Sequence, residues 1–195
     1  MTELGGVLAA AAEVEAFCRA RGWQFCFIGG VAVQRWGMPR FTQDVDITLL
    51  AGLNPSEAII DAVLRRFTGR VANARKLALE RRVLLARTAD GTDLDFALGA
   101  LAFEEQTVER ASLWRVDPNL SLTTCSAEDL IVHKAFAARA RDWGDIESIL
   151  SRQYGRLNLD IVRRSLASLL ELKEDPASMS RLEDLIARVR KLSRS

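Results

Sequence analysis

The chain has 195 residues, enough for one large domain or two small ones, and its 49% hydrophobic and 27% charged content is that of an ordinary globular protein. A net charge of +1 excludes a strong whole-molecule field for nucleic acid, although a local basic patch would suffice to bind it. No apolar stretch approaches a membrane span and no secretory leader pattern opens the chain, so no membrane contact and a cytoplasmic location are expected. The scattered Cys18, Cys26 and Cys125 lack zinc-like spacing and read as reduced thiols.

Residues 7–21 place Val7, Leu8, Ala11, Val14, Phe17 and Cys18 at helical spacing, and Gly22 ends that helix. Residues 24–28 read as a short apolar strand. A short helix over 31–36 starts just after Gly29-Gly30 and closes at Gly37 and Pro39. Residues 44–50 form the second strand. Asn54-Pro55-Ser56-Glu57 has the form of a helix start, continued by Ile59, Ile60, Val63 and Phe67. Residues 82–87 and 93–98 flank the turn Ala89-Asp90-Gly91-Thr92 and predict a hairpin, with further strand within 106–124. Ser126-Ala127-Glu128-Asp129 is a capping-box pattern opening a helix to about residue 141. Gly144 interrupts it before a continuation over 146–154, and amphipathic helices follow over about 158–172 and 178–192. The pattern is α+β: a mixed sheet with flanking helices in residues 1–125, then a helical segment, 126–195, expected to close a cleft.

The chemistry concentrates in the first half. Residues alternate along a strand, so Asp44 and Asp46 share one face. Two adjacent carboxylates repel each other, and a divalent cation such as Mg²⁺, shared with substrate phosphates, supplies the compensation. Gly29 and Gly30 let backbone approach a bulky anion at the start of the following helix. Arg40 can neutralise phosphate and Thr42 can donate a hydrogen bond. Together these residues point to a metal-dependent site for a nucleoside triphosphate. His133, the single histidine, has no neighbouring ligand set, and the basic end Arg188, Arg190, Lys191 and Arg194 suits a helix C-terminus.

The run Ile28-Gly29-Gly30 followed by Asp44-Val45-Asp46-Ile47 resembles the nucleotidyltransferase superfamily of DNA polymerase β. The longer run from Gly29 through Arg40-Phe41-Thr42-Gln43 to Asp46 is similar to bacterial stand-alone nucleotidyltransferases, among them the AbiEii-type toxins of abortive-infection and toxin–antitoxin systems. The resemblance implies a third carboxylate flanked by apolar residues, which Leu94-Asp95-Phe96 fits; Asp93, two residues earlier on the same face, is the alternative. It also implies a helical half carrying a lysine, then a basic residue paired with aspartate and a second aspartate. Lys134, Arg141-Asp142 and Asp145 match. On the single helix read there, Lys134 and Asp142 would lie about 80° apart around the axis. The implied activity is transfer of a nucleotidyl group from an NTP to an acceptor hydroxyl, with pyrophosphate released. Asp44, Asp46 and Asp95 would bind Mg²⁺ or Mn²⁺ and act in catalysis with Lys134 and Asp142. Gly29, Gly30, Arg40 and Thr42 would hold the nucleotide. The acceptor is open between tRNA or another RNA, a small molecule such as an antibiotic, and a protein hydroxyl, and a cognate antitoxin is an implied partner. A non-catalytic nucleotide-binding or interaction module is the alternative of a different class.

Overall fold

A computed structural model describes residues 3–53, 57–173 and 177–193. The expected helix-start residues Asn54, Pro55 and Ser56, and Arg194 of the basic end, lie outside them. In chain order the elements are α1 (Glu3–Arg19), β1 (Phe25–Phe27), α2 (Gly29–Trp36), β2 (Asp44–Leu50), α3 (Glu57–Arg66), β3 (Thr68–Gly69), α4 (Ala74–Arg81), β4 (Val83–Arg87) and β5 (Asp93–Gly99). They continue with α5 (Ala102–Glu109), β6 (Ser112–Arg115), β7 (Ser121–Thr124), α6 (Ala127–Ala137), α7 (Ala140–Arg152), α8 (Leu159–Lys173) and α9 (Ala177–Leu192). The chain divides into two compact units, residues 1–31 with 41–125 and residues 32–40 with 126–195. The chain passes from one to the other inside α2 and returns at Phe41.

The first unit holds a sheet whose described strands run β3-β4-β5-β2-β1-β7-β6. β2 is central, antiparallel to β1 and parallel to β5, while β4 pairs antiparallel with β5 as the expected hairpin. Its alternation sorts the sheet into two faces. Val45, Ile47 and Leu49 of β2 are fully buried, as are Leu84 and Ala86 of β4 and Leu94 and Phe96 of β5. They form one core with Ala11, Val14 and Phe17 of α1 and Ile60 and Val63 of α3. Phe67 sits at the centre of an aromatic group, edge-on to Phe17 and tilted against Phe96. Cys18, Cys26 and Cys125 are buried free thiols. Burial, reinforced by the nearby Glu15 charge, pushes the Cys18 thiol up to about 12, which leaves it protonated and inert.

α4 and α5, which the sequence reading lacks, are eight residues each. α5 starts where the Glu104 carboxylate turns back to accept from Ala100 N–H (2.7 Å) and Leu101 N–H (2.9 Å), satisfying donors that would otherwise be orphaned.

In the second unit, α6 opens as expected, with Ser126 Oγ accepting from Asp129 N–H. The expected single helix to residue 141 is instead two. Ala138 takes a left-handed conformation (φ 55°) and ends α6, and α7 starts after Arg139 and runs straight through Gly144. The Asp142 carboxylate accepts from Arg139 N–H (3.2 Å), and the Trp143 indole donates to Ala138 C=O, so the break is held from the α7 side. α8 and α9 complete this unit, with Leu166, Leu182, Ile146 and Ile149 buried among the helices. Among the described residues no helix is long and apolar enough to cross a membrane.

The central position of β2 sets an expectation for stability. Ile47→Ala should lower unfolding free energy by about 2–5 kcal/mol. Leu113→Ala on edge strand β6, where the side chain is 58% exposed, should change it by no more than about 0.5 kcal/mol. Denaturant titration at constant m-value separates the two.

Candidate active site

Parallel pairing of β2 with β5 aligns Asp44 with Asp93 and Asp46 with Asp95. All four carboxylates therefore occupy the sheet face opposite the apolar core. Asp44 accepts a hydrogen bond from Thr42 Oγ1 at 2.9 Å. Asp93 receives two arginines: Arg87 Nε at 2.6 Å and Arg70 Nη1 at 2.8 Å. Asp95 receives one, Arg70 Nη2, at 2.8 Å from Oδ1. That contact is close but not aligned as a hydrogen bond, and Oδ1 is buried without a hydrogen-bond donor. Burial pushes the Asp95 carboxyl above its usual range; Arg70 opposes the shift, and the charges of Asp44 and Asp93 add to it. Burial also works against the Asp93 charge, but the bonds from Arg87 and Arg70 outweigh it and hold that carboxyl below its usual range.

Gly29 and Gly30 stand against this face. Gly29 has φ 55°, and a methyl group added there would fall inside the Asp46 carboxylate. One added at Gly30 would fall inside the Thr42 hydroxyl. The glycine pair thus makes room for the chain's own Asp46 and Thr42, a packing demand that the reading of close anion approach does not contain. Helix α2 begins at Gly29 itself, two residues earlier than its apolar pattern.

Carboxylate oxygens are the donors that Mg²⁺ and Mn²⁺ prefer, and the buried Oδ1 of Asp95 has an ionic neighbour in Arg70 but no aligned hydrogen-bond donor. The donor set therefore fits a hard divalent ion in kind. As they stand, no three acidic, histidine or cysteine side chains among the described residues converge closely enough to hold one.

The remaining expected residues form a second group, within the helical unit. Lys134 on α6, 4% exposed, lies 2.6 Å from Asp145 and 3.3 Å from Asp142, both on α7. It is the turn at Ala138, and not a shared helix face, that brings Lys134 and Asp142 together. Arg40 makes a two-point pair with Asp145, Nε to Oδ1 at 2.7 Å and Nη2 to Oδ2 at 2.8 Å. Arg139 Nε donates to Asp142 at 2.7 Å. The segment 36–40 is further tied to α7 by Met38 N–H donating to Ser148 Oγ (3.2 Å) and Gln153 donating to Trp36 C=O (3.1 Å). Burial raises the cost of charge on Asp142 and Asp145, yet the bonds from Arg139 and Lys134 to the first, and from Arg40 and Lys134 to the second, hold both below the usual carboxylate range. Arg70 and Arg87 are contributors to the acidic face that sequence reasoning does not find; Arg87 ends β4, and Arg70 lies just beyond β3. Arg70 follows a two-residue strand too short to show any period.

A mixed sheet whose central strand carries Asp-x-Asp beside a third acid, with a Gly-Gly helix start packed on it, is the arrangement that the nucleotidyltransferase resemblance implies. The chain is similar in fold to an antigenic nucleotidyltransferase-like protein from Paracoccidioides brasiliensis (14% identity, TM-score 0.53, 91% of this chain and 92% of that chain covered). The family described as nucleotidyl transferase AbiEii toxin, type IV TA system, matches residues 17–192, and the chain belongs to it. More distant likenesses are the antibiotic-resistance factor ANT(2'')-Ia (18% identity, TM-score 0.45, 99% and 95% covered) and a CCA-adding enzyme solved with CTP (11%, 0.39, 94% and 51%). No curated protein matches the chain.

Gly29→Ala should destabilise by at least about 1–2 kcal/mol from backbone strain alone, and Gly30→Ala by about 1–3 kcal/mol from overpacking, both read by denaturant titration without nucleotide. Lys134→Ala leaves two buried carboxylates short of a cation and should cost about 3–5 kcal/mol. Asp142 and Asp145 also predict acid sensitivity. Their folded pKa values lie below that of an unfolded aspartate, about 3.9. The stability they contribute is complete above that value and is lost as pH falls through the folded values. The unfolding temperature should hold steady from pH 7 to about 5 and fall below about pH 4, with a shallower fall in Lys134→Ala.

Proposed function

We propose that the protein transfers a nucleotidyl group from an NTP to an acceptor hydroxyl, with Asp44, Asp46 and Asp95 holding Mg²⁺ or Mn²⁺. The observation that carries this reading is the alignment of Asp46 with Asp95 across parallel strands, next to a glycine pair that packs on Asp46 and Thr42. Bound there, a divalent ion would lower the pKa of the attacking hydroxyl and draw charge from the departing pyrophosphate. Thr42 orients Asp44 through its hydroxyl. Asp95, whose burial raises its proton affinity, is suited to take the acceptor proton. The first turn of α2, at Gly29 and Gly30, offers backbone N–H groups to the triphosphate.

From the helical unit, Lys134 is proposed to supply a cation to the phosphates and Asp142 to orient it, with Asp145 as their shared support. Arg40 serves phosphate in this reading by exchanging Asp145 for it. The family's toxin–antitoxin setting favours an RNA acceptor such as tRNA, a cognate antitoxin as partner and a cytoplasmic place of action.

Incubating the protein with each labelled NTP, Mg²⁺ and total cell extract, then treating the product with ribonuclease or protease, tests both the reaction and the acceptor. Label lost with ribonuclease identifies RNA. Asp44→Asn and Asp46→Asn should abolish incorporation while keeping the unfolding temperature, because relief of like-charge repulsion offsets any lost contact. Full incorporation by the double variant would remove the metal-site reading.

A further inference from the structure

Arg70 stands between the acidic face and its proposed metal. Its backbone N–H donates to Leu85 C=O at 3.0 Å, which fixes the residue beside β4 just beyond β3. From there its guanidinium reaches β5 and places one nitrogen on each of two carboxylates, Nη1 on Asp93 and Nη2 on Asp95, both at 2.8 Å. The two contacts are unequal in consequence. Asp93 also has Arg87 and would stay balanced if Arg70 left. Asp95 has Arg70 alone among the described residues, and its Oδ1 gains an ionic neighbour there without an aligned hydrogen bond. Although Asp95 lies directly opposite Asp46 in register, no three carboxylates among the described residues meet at a common point.

The pairing is also reachable from solvent. The side chains of Arg70, Asp93 and Asp95 are 22%, 28% and 31% exposed, so exchanging partners requires no unfolding. Partly exposed ion pairs hold weakly. A guanidinium released from a carboxylate matches the oxygens of a phosphate equally well.

We propose that Arg70 is a positioning residue that takes the cation's place beside Asp95 in the nucleotide-free protein and moves to the triphosphate of an incoming NTP, freeing Asp95 to join Asp44 and Asp46 on the metal. This rests on the metal-face reading proposed above. Triphosphate binding and metal-site assembly are then one event: phosphate draws Arg70 off, and the vacated carboxylate receives the ion. An NTP would raise metal affinity through Arg70 as well as through its own oxygens.

The test measures Mn²⁺ binding to the full chain by electron paramagnetic resonance, with Mn²⁺ alone and with the Mn²⁺–triphosphate complex. Arg70→Ala should bind Mn²⁺ alone at least about tenfold more tightly and Mn²⁺–triphosphate at least about tenfold more weakly, each about 1.4 kcal/mol. Arg70→Lys should fall between Arg70→Ala and the parent protein. Opposite signs are the signature, because a merely structural arginine would weaken both and lower the unfolding temperature. Arg87→Ala removes the same charge from Asp93 only and should change Mn²⁺ affinity far less. Mn²⁺ affinity unchanged or weaker in Arg70→Ala, or raised equally in Arg87→Ala, overturns the role of Arg70 while the metal face stands, provided Asp46→Asn still loses Mn²⁺. If Asp46→Asn binds Mn²⁺ like the parent protein, the metal-face reading falls and the role of Arg70 with it. Should Arg70→Ala not fold, Arg70→Gln carries the same expected signs.

Discussion

Four carboxylates on one face of a sheet is the constraint around which the first unit is built. The parallel pairing of β2 and β5 imposes it, because residues in register across that pair are acidic twice over, Asp44 with Asp93 and Asp46 with Asp95. A fold bent only on stability would not place them so. The opposite face bears the cost, with Val45, Ile47 and Leu49 buried in a core that draws on β1, β2, β4, β5 and β7 and on helices α1 to α4. The acids themselves are managed one by one: a hydroxyl for Asp44, two arginines for Asp93, a single imperfect one for Asp95. Asp95, with its single arginine, lies in register with Asp46, while the doubly paired Asp93 lies in register with Asp44.

The helical unit solves a related problem by a different route. Its charges alternate along a chain from Arg40 through Asp145, Lys134 and Asp142 to Arg139. Each buried carboxylate there touches two cations, and both carboxyls are held below their usual range. One acidic group is thus closed upon itself and the other is short of positive charge. That difference separates a charge network closed between two helices from a face whose acids outnumber the cations beside them.

Much of this was legible in the residues. The bounds of β2 follow from an apolar run flanked by polar loop, and its acid face from strict alternation. The hairpin follows from the Asp90-Gly91 turn. Belonging to a nucleotidyltransferase family was carried by the spacing of Gly29-Gly30 and Asp44-Val45-Asp46. What stayed hidden depended on contacts between residues distant in sequence or on single backbone angles. An alanine in a left-handed conformation at 138 has no compositional mark, while Gly144, a more conspicuous breaker, sits in open space inside an unbroken α7. The crowding of Asp46 against Gly29 is invisible until the strand is folded back beside the helix. Arg70 and α4 lie in a stretch with few apolar residues, where periodicity carries no information.

The helical unit is assembled from two pieces of chain, and Arg40 lies 105 residues before the aspartate it clasps. On a ribosome adding about 5–20 residues per second, Arg40 would be incorporated roughly 5–20 seconds before Asp145. During that interval the whole sheet from β2 to β7 is synthesised, while 32–40 has nothing of its own unit to join. The helical unit cannot begin its final packing until the last third of the chain exists. An isolated fragment beginning at Ser126 would contain Asp145 and Lys134 but never their first arginine. The order of synthesis therefore completes every described strand of the sheet before the residues of the charge network are all present.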